Sequence, residues 1–105
     1  MDELCIVYVT SSNRDEALKI GRKIVDERLA ACVNVYDGVT SLYRWEGKMQ
    51  EDSEAVLFMK TKKSLLAELK DTVKKLHSYS CPCIVALPIV DPEEAYASWI
   101  LNEVK

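Results

Sequence analysis

Short apolar runs and one helical repeat organise the first third of the chain. Leu4–Thr10 is a β-branched apolar run that ends at the turn-forming residues Ser11-Ser12-Asn13, which predicts a buried first strand. From Arg14 to Ala31 apolar residues recur at helical spacing, and Ser12 or Asn13 is suited to cap the predicted helix. Gly21 lies on the apolar face of that helix. Because glycine costs about 1 kcal/mol relative to alanine inside a helix, its presence predicts a close approach to a strand.

Two long strand-like segments follow, joined by a tight turn at Glu46-Gly47, and together they predict a long hairpin. The first arm is Cys32–Trp45 and the second is Lys48–Thr61. Asp37-Gly38 is a further strong turn signal, which could divide the first arm into two paired strands. We favour one long bent strand with Gly38 at a β-bulge.

The turn at Glu46-Gly47 also predicts how the two arms pair. The expected pairs are Trp45 with Lys48, Tyr43 with Gln50, Val35 with Phe58, and Val33 with Lys60. In a continuous arm, alternation directs one set of side chains to a common face: Val33, Val35, Val39, Tyr43 and Trp45. A fold at Asp37-Gly38 would instead place Val33 and Val35 on the face of Thr40 and Leu42.

The length of the first arm has a consequence for assembly. At about 3.3 Å per residue it runs about 45 Å, whereas a compact chain of this size has a diameter of about 35 Å. The hairpin therefore overhangs the body and carries Leu42, Tyr43 and Trp45 on its distal half. Since an isolated two-stranded ribbon is only marginally stable in water, we expect another subunit to cover it.

The second half of the chain repeats the pattern of helix and strand. Apolar spacing predicts an amphipathic helix with Ser64 near its start that ends around His77, and Ile84–Val90 predicts a fourth strand in which Pro88 requires an edge or a bulge. Asp91 is expected to cap a third helix with Pro92 at its first position. The apolar face of that helix is Tyr96, Trp99, Ile100 and Val104. The order β-α-β-β-α-β plus a C-terminal helix predicts an α+β, ferredoxin-like sandwich with a long central hairpin.

Composition narrows the class of protein. The 105 residues are 49% hydrophobic and 30% charged, which predicts a single globular domain over residues 1–105. Lys and Arg number 14 against 17 Asp and Glu, so the net charge of -3 argues against a nucleic-acid partner. Met1-Asp2-Glu3 is acidic, and no apolar run approaches the roughly 20 residues of a membrane span. We therefore expect a cytoplasmic protein that does not insert into membranes.

No catalytic motif is recognisable, so the sequence does not predict an enzyme. The chain contains no phosphate-loop glycine motif, no Ser-centred elbow and no H-E-x-x-H segment. RNA-recognition domains share the element order, but the third strand, EAVLFMK, lacks their basic and stacking-aromatic pattern. Iron-sulfur ferredoxins also share it, but their C-x₂-C-x₂-C run is missing.

The residues with the most distinctive chemistry are the four cysteines, Cys5, Cys32, Cys81 and Cys83. Cytoplasmic thiols stay reduced, and each of these lies in or beside an apolar run, which favours small core residues. The alternative is that Cys81-Pro82-Cys83 and the single histidine, His77, hold Cu(I) or Zn through soft ligands. A histidine at a helix end is also a common cap or surface group. Lys60, on a strand beside apolar Val33, is suited to hold an anionic group.

Several segments resemble the CutA divalent-cation tolerance proteins. They are RLAACVNV (28–35), GVTSLYRWEGKMQEDSE (38–54), KTKKSLL (60–66) and IVALPIVD (84–91). The most specific part is Ala30-Ala31-Cys32 followed by Thr40-Ser41-Leu42-Tyr43, Trp45-Glu46-Gly47-Lys48 and Glu51. The resemblance extends over nearly the whole chain.

The resemblance implies a cytoplasmic homotrimer of ferredoxin-like subunits, similar in architecture to PII signalling proteins, with hairpins that pair across subunits. It implies a binding or regulatory role in tolerance to copper and other divalent metals, with no obligatory cofactor and no catalysis. A structural trimer that anchors or regulates a partner protein is the alternative. The implied ligand site lies in clefts between subunits, near Cys32, Trp45, Lys60, His77 and Tyr79.

The chain departs from the family pattern at the segment 77–83. Members usually read His-Pro-Tyr-x-x-Pro-Glu, whereas this chain has His77-Ser78-Tyr79-Ser80-Cys81-Pro82-Cys83. A thiol thus replaces a carboxylate that is often proposed as a ligand, and thiols are softer ligands than carboxylates. A cysteine that some members carry in the first strand is matched here by Val9.

Overall fold

One antiparallel sheet and three helices make up the protein. The computed structural model describes residues 2–105, with β1 at Leu4–Ser11, α1 at Arg14–Asp26, β2 at Cys32–Trp45, β3 at Lys48–Lys62, a 3-10 turn at Lys63–Leu65, α2 at Leu66–Leu76, β4 at Ile84–Pro88 and α3 at Glu94–Glu103. The strands lie in the order β2-β3-β1-β4, and each neighbouring pair is antiparallel. The predicted α+β, ferredoxin-like order with a C-terminal helix is confirmed.

The core lies between one face of the sheet and the helices α1 and α2. Val7 of β1 and Leu57 of β3 are fully buried against Ile24 of α1 and Val73 of α2. Gly21 permits the close packing of α1 on β2, because a Cβ atom at this position would lie 3.2 Å from Cγ1 of Val33. The predicted approach of this glycine to a strand is therefore confirmed.

The ends of α1 are set by local hydrogen bonds. The side chain of Asn13, the N-cap, accepts from the Glu16 N–H at 2.8 Å, and the Glu16 carboxylate accepts from the N–H of Ser12, the residue before the cap, at 2.9 Å. The helix ends at Asp26, five residues before the predicted end, because Arg28 adopts a left-handed conformation with φ 59°. That conformation stops helical propagation and turns the chain into β2.

Ser64 lies near the start of α2 as predicted, in the 3-10 turn that directly precedes the helix, and its hydroxyl donates to Asp2. Two other predicted boundaries in the second half are wrong. Asp91 does not cap α3: its φ of 54° is incompatible with the extended conformation of an N-cap, and Glu93 instead accepts from the Ala95 N–H. β4 ends at Pro88, on the outer strand of the sheet where a proline is tolerated.

The predicted bulge in β2 is confirmed, but the residues before the bulge pair with β3 one residue away from the predicted register. Trp45 pairs with Lys48 and Tyr43 with Gln50 as expected. Asp37 and Gly38 together oppose one residue of β3, so Val35 pairs with Leu57 rather than Phe58, and Val33 pairs with Met59 rather than Lys60. The expectation of one shared face is therefore wrong. Val33 and Val35 face the helices, because the extra residue reverses side-chain parity, whereas Tyr43 and Trp45 face the open side of the sheet.

The hairpin gives the molecule an elongated shape, with extents of 44 × 26 × 23 Å. Its distal half leaves Leu42, Tyr43 and Trp45 exposed. This agrees with the overhang predicted from the length of β2. None of the helices within residues 2–105 has the length and apolar character that a membrane crossing requires.

Candidate functional site

A cleft of about 500 Å³ opens on the uncovered side of the sheet. Its floor is formed by the end of β1, the middle of β3 and the distal part of β2, and its wall is the loop between α2 and β4. The lining residues are Thr10, Ser41, Tyr43, Trp45, Glu54, Tyr79, Ser80, Cys81 and Cys83. The bulge in β2 is what directs Ser41, Tyr43 and Trp45 into this cleft.

Two phenols of the cleft donate hydrogen bonds to carboxylates. The Tyr79 hydroxyl lies 2.7 Å from Oε2 of Glu54, whose side chain is only 7% exposed. Burial and this hydrogen bond raise the pKa of Tyr79 far above its usual value. The Tyr43 hydroxyl donates to Asp52, and that hydrogen bond raises the pKa of Tyr43. Both phenols therefore stay protonated at neutral pH.

His77 holds the loop in place through both ring nitrogens. Its Nε2 lies 2.7 Å from the Thr10 carbonyl oxygen, and its Nδ1 accepts from the Tyr79 N–H at 3.1 Å. This arrangement assigns the ring proton to Nε2. The rings of His77 and Tyr79 lie 4.8 Å apart. His77 therefore positions Tyr79, and a metal bond to either nitrogen requires the loss of one of these contacts.

Glu16 ties the same loop to the start of α1. One carboxylate oxygen accepts from Ser12, and the other accepts from the Ser78 N–H at 2.8 Å. Burial opposes ionisation of this carboxyl, but the hydrogen bonds from Ser12 and Ser78 outweigh that effect and lower its pKa from 4.5 to about 2. The ionised carboxylate thus supports the loop that carries Tyr79.

We expect Glu16→Gln to lower the free energy of unfolding at pH 7 by about 1 kcal/mol, since bonds to an ionised acceptor are stronger than those to an amide. Because the folded-state pKa is depressed, the contribution of Glu16 is fully present above its unfolded pKa near 4.5 and is lost as pH falls towards about 2. Thermal unfolding across pH 2 to 7 measures this. The difference between wild type and variant should shrink with acidification. Asp15→Asn, also in the first turn of α1, is the control, and it should lower the free energy of unfolding at pH 7 by less, because it leaves the bonds of Glu16 to Ser12 and Ser78 in place.

We expect Tyr79→Phe to lower the free energy of unfolding by about 2 kcal/mol, because it removes a hydrogen bond from a nearly buried carboxylate. Urea denaturation measures the change. Tyr43→Phe is the matched control: it removes the same kind of bond from an exposed carboxylate, where water replaces the donor, and it should cost little. Equal losses in the two variants would contradict the role of burial at Glu54.

The cysteines occupy different environments. All four are free thiols; Cys5 is buried, Cys32 and Cys83 are partly exposed, and Cys81 is exposed. The expectation of core positions is thus confirmed for Cys5 and wrong for Cys81. Burial, followed by the charge of Glu54, raises the pKa of Cys83. Both Cys81 and Cys83 line the cleft, so the cleft contains two thiols.

The structure brings only part of the predicted ligand site together. Trp45 and Tyr79 line the cleft, and His77 lies directly behind Tyr79. Cys32 and Lys60 are register partners elsewhere on the sheet, six residues along β3 from Glu54 or about 20 Å. There the Lys60 ammonium lies 5.6 Å from the ring centroid of Tyr96. Their participation in one ligand site stays a prediction.

Sequence reasoning missed five lining residues: Thr10, Ser41, Tyr43, Glu54 and Ser80. A signal existed for Glu54, because it is the acidic residue that directly precedes the apolar run AVLFM, where burial begins. Its position opposite Val39 on the open face followed only from the bulged register.

The described residues do not assemble a conventional metal centre. Across residues 2–105 no group of three or more His, Cys, Asp or Glu side chains is placed to hold an ion. With both nitrogens of His77 engaged, the remaining predicted metal ligands are the thiols of Cys81 and Cys83. Two thiols suit a soft ion such as Cu(I) better than a hard divalent ion.

Comparison with known proteins identifies relatives over nearly the whole chain. The family described as CutA1 divalent ion tolerance protein matches residues 5–103. The divalent-cation tolerance protein CutA of Thermus thermophilus is 44% identical over 90% of this chain and 92% of its own length. The crystal structure of CutA1 from Oryza sativa superposes with a TM-score of 0.96 at 40% identity, and the match covers 99% of this chain and 95% of that one.

Some relatives are considerably longer. The chloroplastic protein CutA of Arabidopsis thaliana is 45% identical over 95% of this chain, but the chain spans only 55% of the length of that protein. Over the shared part, both sequence and fold agree with the resemblance seen in the individual segments. The chain therefore belongs to the CutA1 divalent ion tolerance family.

Proposed function

We propose that the chain forms a PII-like homotrimer that acts in divalent-cation tolerance by binding a small ligand, without catalysis, in clefts that neighbouring subunits complete. The observation that carries this proposal is the uncovered face of the sheet. Relatives named for divalent-cation tolerance support the cellular role, and the cleft with its nearly buried carboxylate supports a binding function.

The uncovered face of the sheet carries a larger contiguous apolar patch than a surface in contact with water usually has. An aromatic row crosses three strands: Tyr8 lies 5.6 Å from Phe58, and Phe58 lies 6.4 Å from Tyr36. Tyr36 is 65% exposed, and Val85 and Leu87 on β4 are each nearly half exposed. Contiguous apolar patches of this kind mark protein-protein contacts. A second and third copy of the chain are the proposed occupants.

The edges of the sheet favour a closed ring of subunits. β2 and β4 form its two outer strands, and each has one side without a partner strand in the described chain. Exposed edges promote open-ended association unless they are covered. The two edges are different strands, so a contact between β2 of one copy and β4 of the next is head-to-tail. Three copies close such a contact into a ring. The overhanging hairpin then lies against the neighbour.

The mass of the protein in solution tests this assembly. Light scattering after size exclusion should give three times the chain mass of 11.9 kDa at micromolar concentration. Calorimetric titration with Cu(I), Cu(II), Zn and small anions tests the ligand function of the same sample. A monomer would overturn the assembly, and a trimer that binds none of these probes would favour the alternative of a purely structural trimer.

Cu(I) is a second candidate ligand, because the thiols of Cys81 and Cys83 line the same cleft. Two thiolates supply the soft donors that Cu(I) prefers. A cytoplasmic location is part of the proposal, since the free thiols suit a reducing compartment. Relatives carry other locations in their names, chloroplastic for Arabidopsis thaliana and periplasmic for Archaeoglobus fulgidus, so cell fractionation is the appropriate measurement.

A further inference from the structure

The charge of the cleft points to a positively charged ligand. Glu54 is the charged residue among the lining side chains of the described chain, which include no lysine, arginine or histidine. Asp52, two residues away on the same face of β3, adds a second negative charge at the rim. A carboxylate with no basic neighbour in an apolar cleft favours a cation as its counter-charge.

The Glu54 carboxylate retains capacity for such a ligand. Oε2 accepts from Tyr79, but an ionised carboxylate has about four acceptor positions on its two oxygens. Glu54 lies on the open face, directed towards the cleft, and the Tyr79 bond fixes its orientation. The cleft therefore presents a preformed negative group that needs no rearrangement to receive a cation.

Aromatic rings form much of the remaining lining. Tyr43 and Trp45 are two residues apart on one face of β2, so their side chains emerge about 7 Å from each other, and Tyr79 contributes a third ring from the loop. Both phenol hydroxyls already donate to carboxylates, which leaves the rings themselves for contact with a ligand. Aromatic faces attract cations through their quadrupole, with tryptophan the strongest.

A hard metal ion does not suit this lining. Ca²⁺ and Mg²⁺ require six or more oxygen ligands, and the described residues gather no cluster of even three charged or imidazole ligands. A methylated ammonium needs no coordination shell, because its charge is dispersed over methyl groups that pack on aromatic rings. The cleft volume of about 500 Å³ is ample for it.

We infer that the cleft formed by Tyr43, Trp45, Glu54 and Tyr79 binds a small alkylated ammonium cation, held between the aromatic rings with Glu54 as its counter-charge. The inference rests on the proposed role of the cleft as the ligand site of the protein. The ligand class is distinct from Cu(I), since it uses rings and a carboxylate rather than the two thiols.

Calorimetric titration of the full chain with tetramethylammonium tests this inference, with tert-butanol as a neutral probe of similar shape. We expect tetramethylammonium to bind at least ten-fold more tightly than tert-butanol. Trp45→Leu should weaken tetramethylammonium binding about ten-fold. This side chain is 50% exposed in the single chain, so the substitution should not disturb the fold, and light scattering verifies that the variant assembles as wild type does, since the hairpin lies against the neighbour. Trp99→Phe is the matched control, because this exposed tryptophan lies on α3 outside the cleft, and it should bind as wild type does.

Glu54→Gln separates charge from shape and should weaken tetramethylammonium at least ten-fold while leaving tert-butanol unchanged. Equal affinity for the two probes, or a Trp45→Leu variant that binds as wild type does, would overturn the inference. Binding of Cu(I) without tetramethylammonium would also overturn it, but would leave the proposed ligand function standing. Failure of every probe with the trimer intact would overturn both.

Discussion

Replacing Val85 and Leu87 together with glutamate is expected to convert the proposed trimer into monomers. Both side chains lie on the uncovered face of β4, where they are 49% and 48% exposed in the single chain and pair with Tyr8 and Ile6 of β1. A subunit contact would bury six new carboxylates in the ring without counter-charges, at a cost of several kcal/mol for each buried charge. The measured mass should fall from three times 11.9 kDa to 11.9 kDa.

The variant should keep its fold, because the replaced side chains are half exposed and lie outside the core between the sheet and the helices. Circular dichroism verifies this. Val25→Glu is the matched control: Val25 is 42% exposed, but it lies on α1, on the opposite side of the sheet, and its replacement should leave the trimer intact. A double variant that stays trimeric would show that the uncovered face does not form the subunit contact.

Replacing Cys81 and Cys83 together with serine is expected to abolish Cu(I) binding and leave the trimer intact. Serine is similar in size, but its hydroxyl oxygen is a poor ligand for a soft ion. Competition with a chromophoric Cu(I) chelator measures the affinity. Burial raises the pKa of Cys83, so the bound ion must displace a proton, and affinity should increase with pH up to the pKa of that thiol.

Cys32→Ser is the control for thiol content, because Cys32 lies outside the cleft beside Lys60. His77→Ala tests whether His77 is the third predicted ligand. Cu(I) affinity should fall if His77 binds the ion, and should stay unchanged if His77 only forms its bonds to Thr10 and Tyr79. If the double serine variant keeps full affinity, the metal site lies elsewhere or does not exist. If it fails to assemble, the two cysteines are packing residues, and the segment 81–83 loses its support as a metal site.

Local patterns predicted most of the secondary structure, and the errors have a common origin. The strands and the first two helices are periodic over many residues, so their existence and type are correct. The misplaced boundaries at Ala31 and Asp91 are points where a single left-handed backbone conformation decides, at Arg28 and at Asp91 itself. Apolar periodicity carries no information about such conformations.

The candidate site was predictable only in part. Trp45 and Tyr79 were named from the family resemblance, and the structure places both in the cleft. Glu54 carried a partial signal as the acidic residue before the apolar run AVLFM, but its hydrogen bond with Tyr79, 25 residues away, leaves none. The pairing of His77 with the Thr10 carbonyl spans 67 residues and likewise leaves no local signal.

By itself the sequence determined the element order, the ferredoxin-like class, the continuous β2 with its bulge, and the overhang of the hairpin, because each depends on periodicity, turn chemistry or strand length. Only the tertiary structure decided which face of β2 forms the cleft. One extra residue at Asp37-Gly38 reverses side-chain parity, and the effect becomes visible only when β2 is paired with β3. That pairing moved Tyr43 and Trp45 away from the face of Val33 and Val35 and placed them beside Glu54.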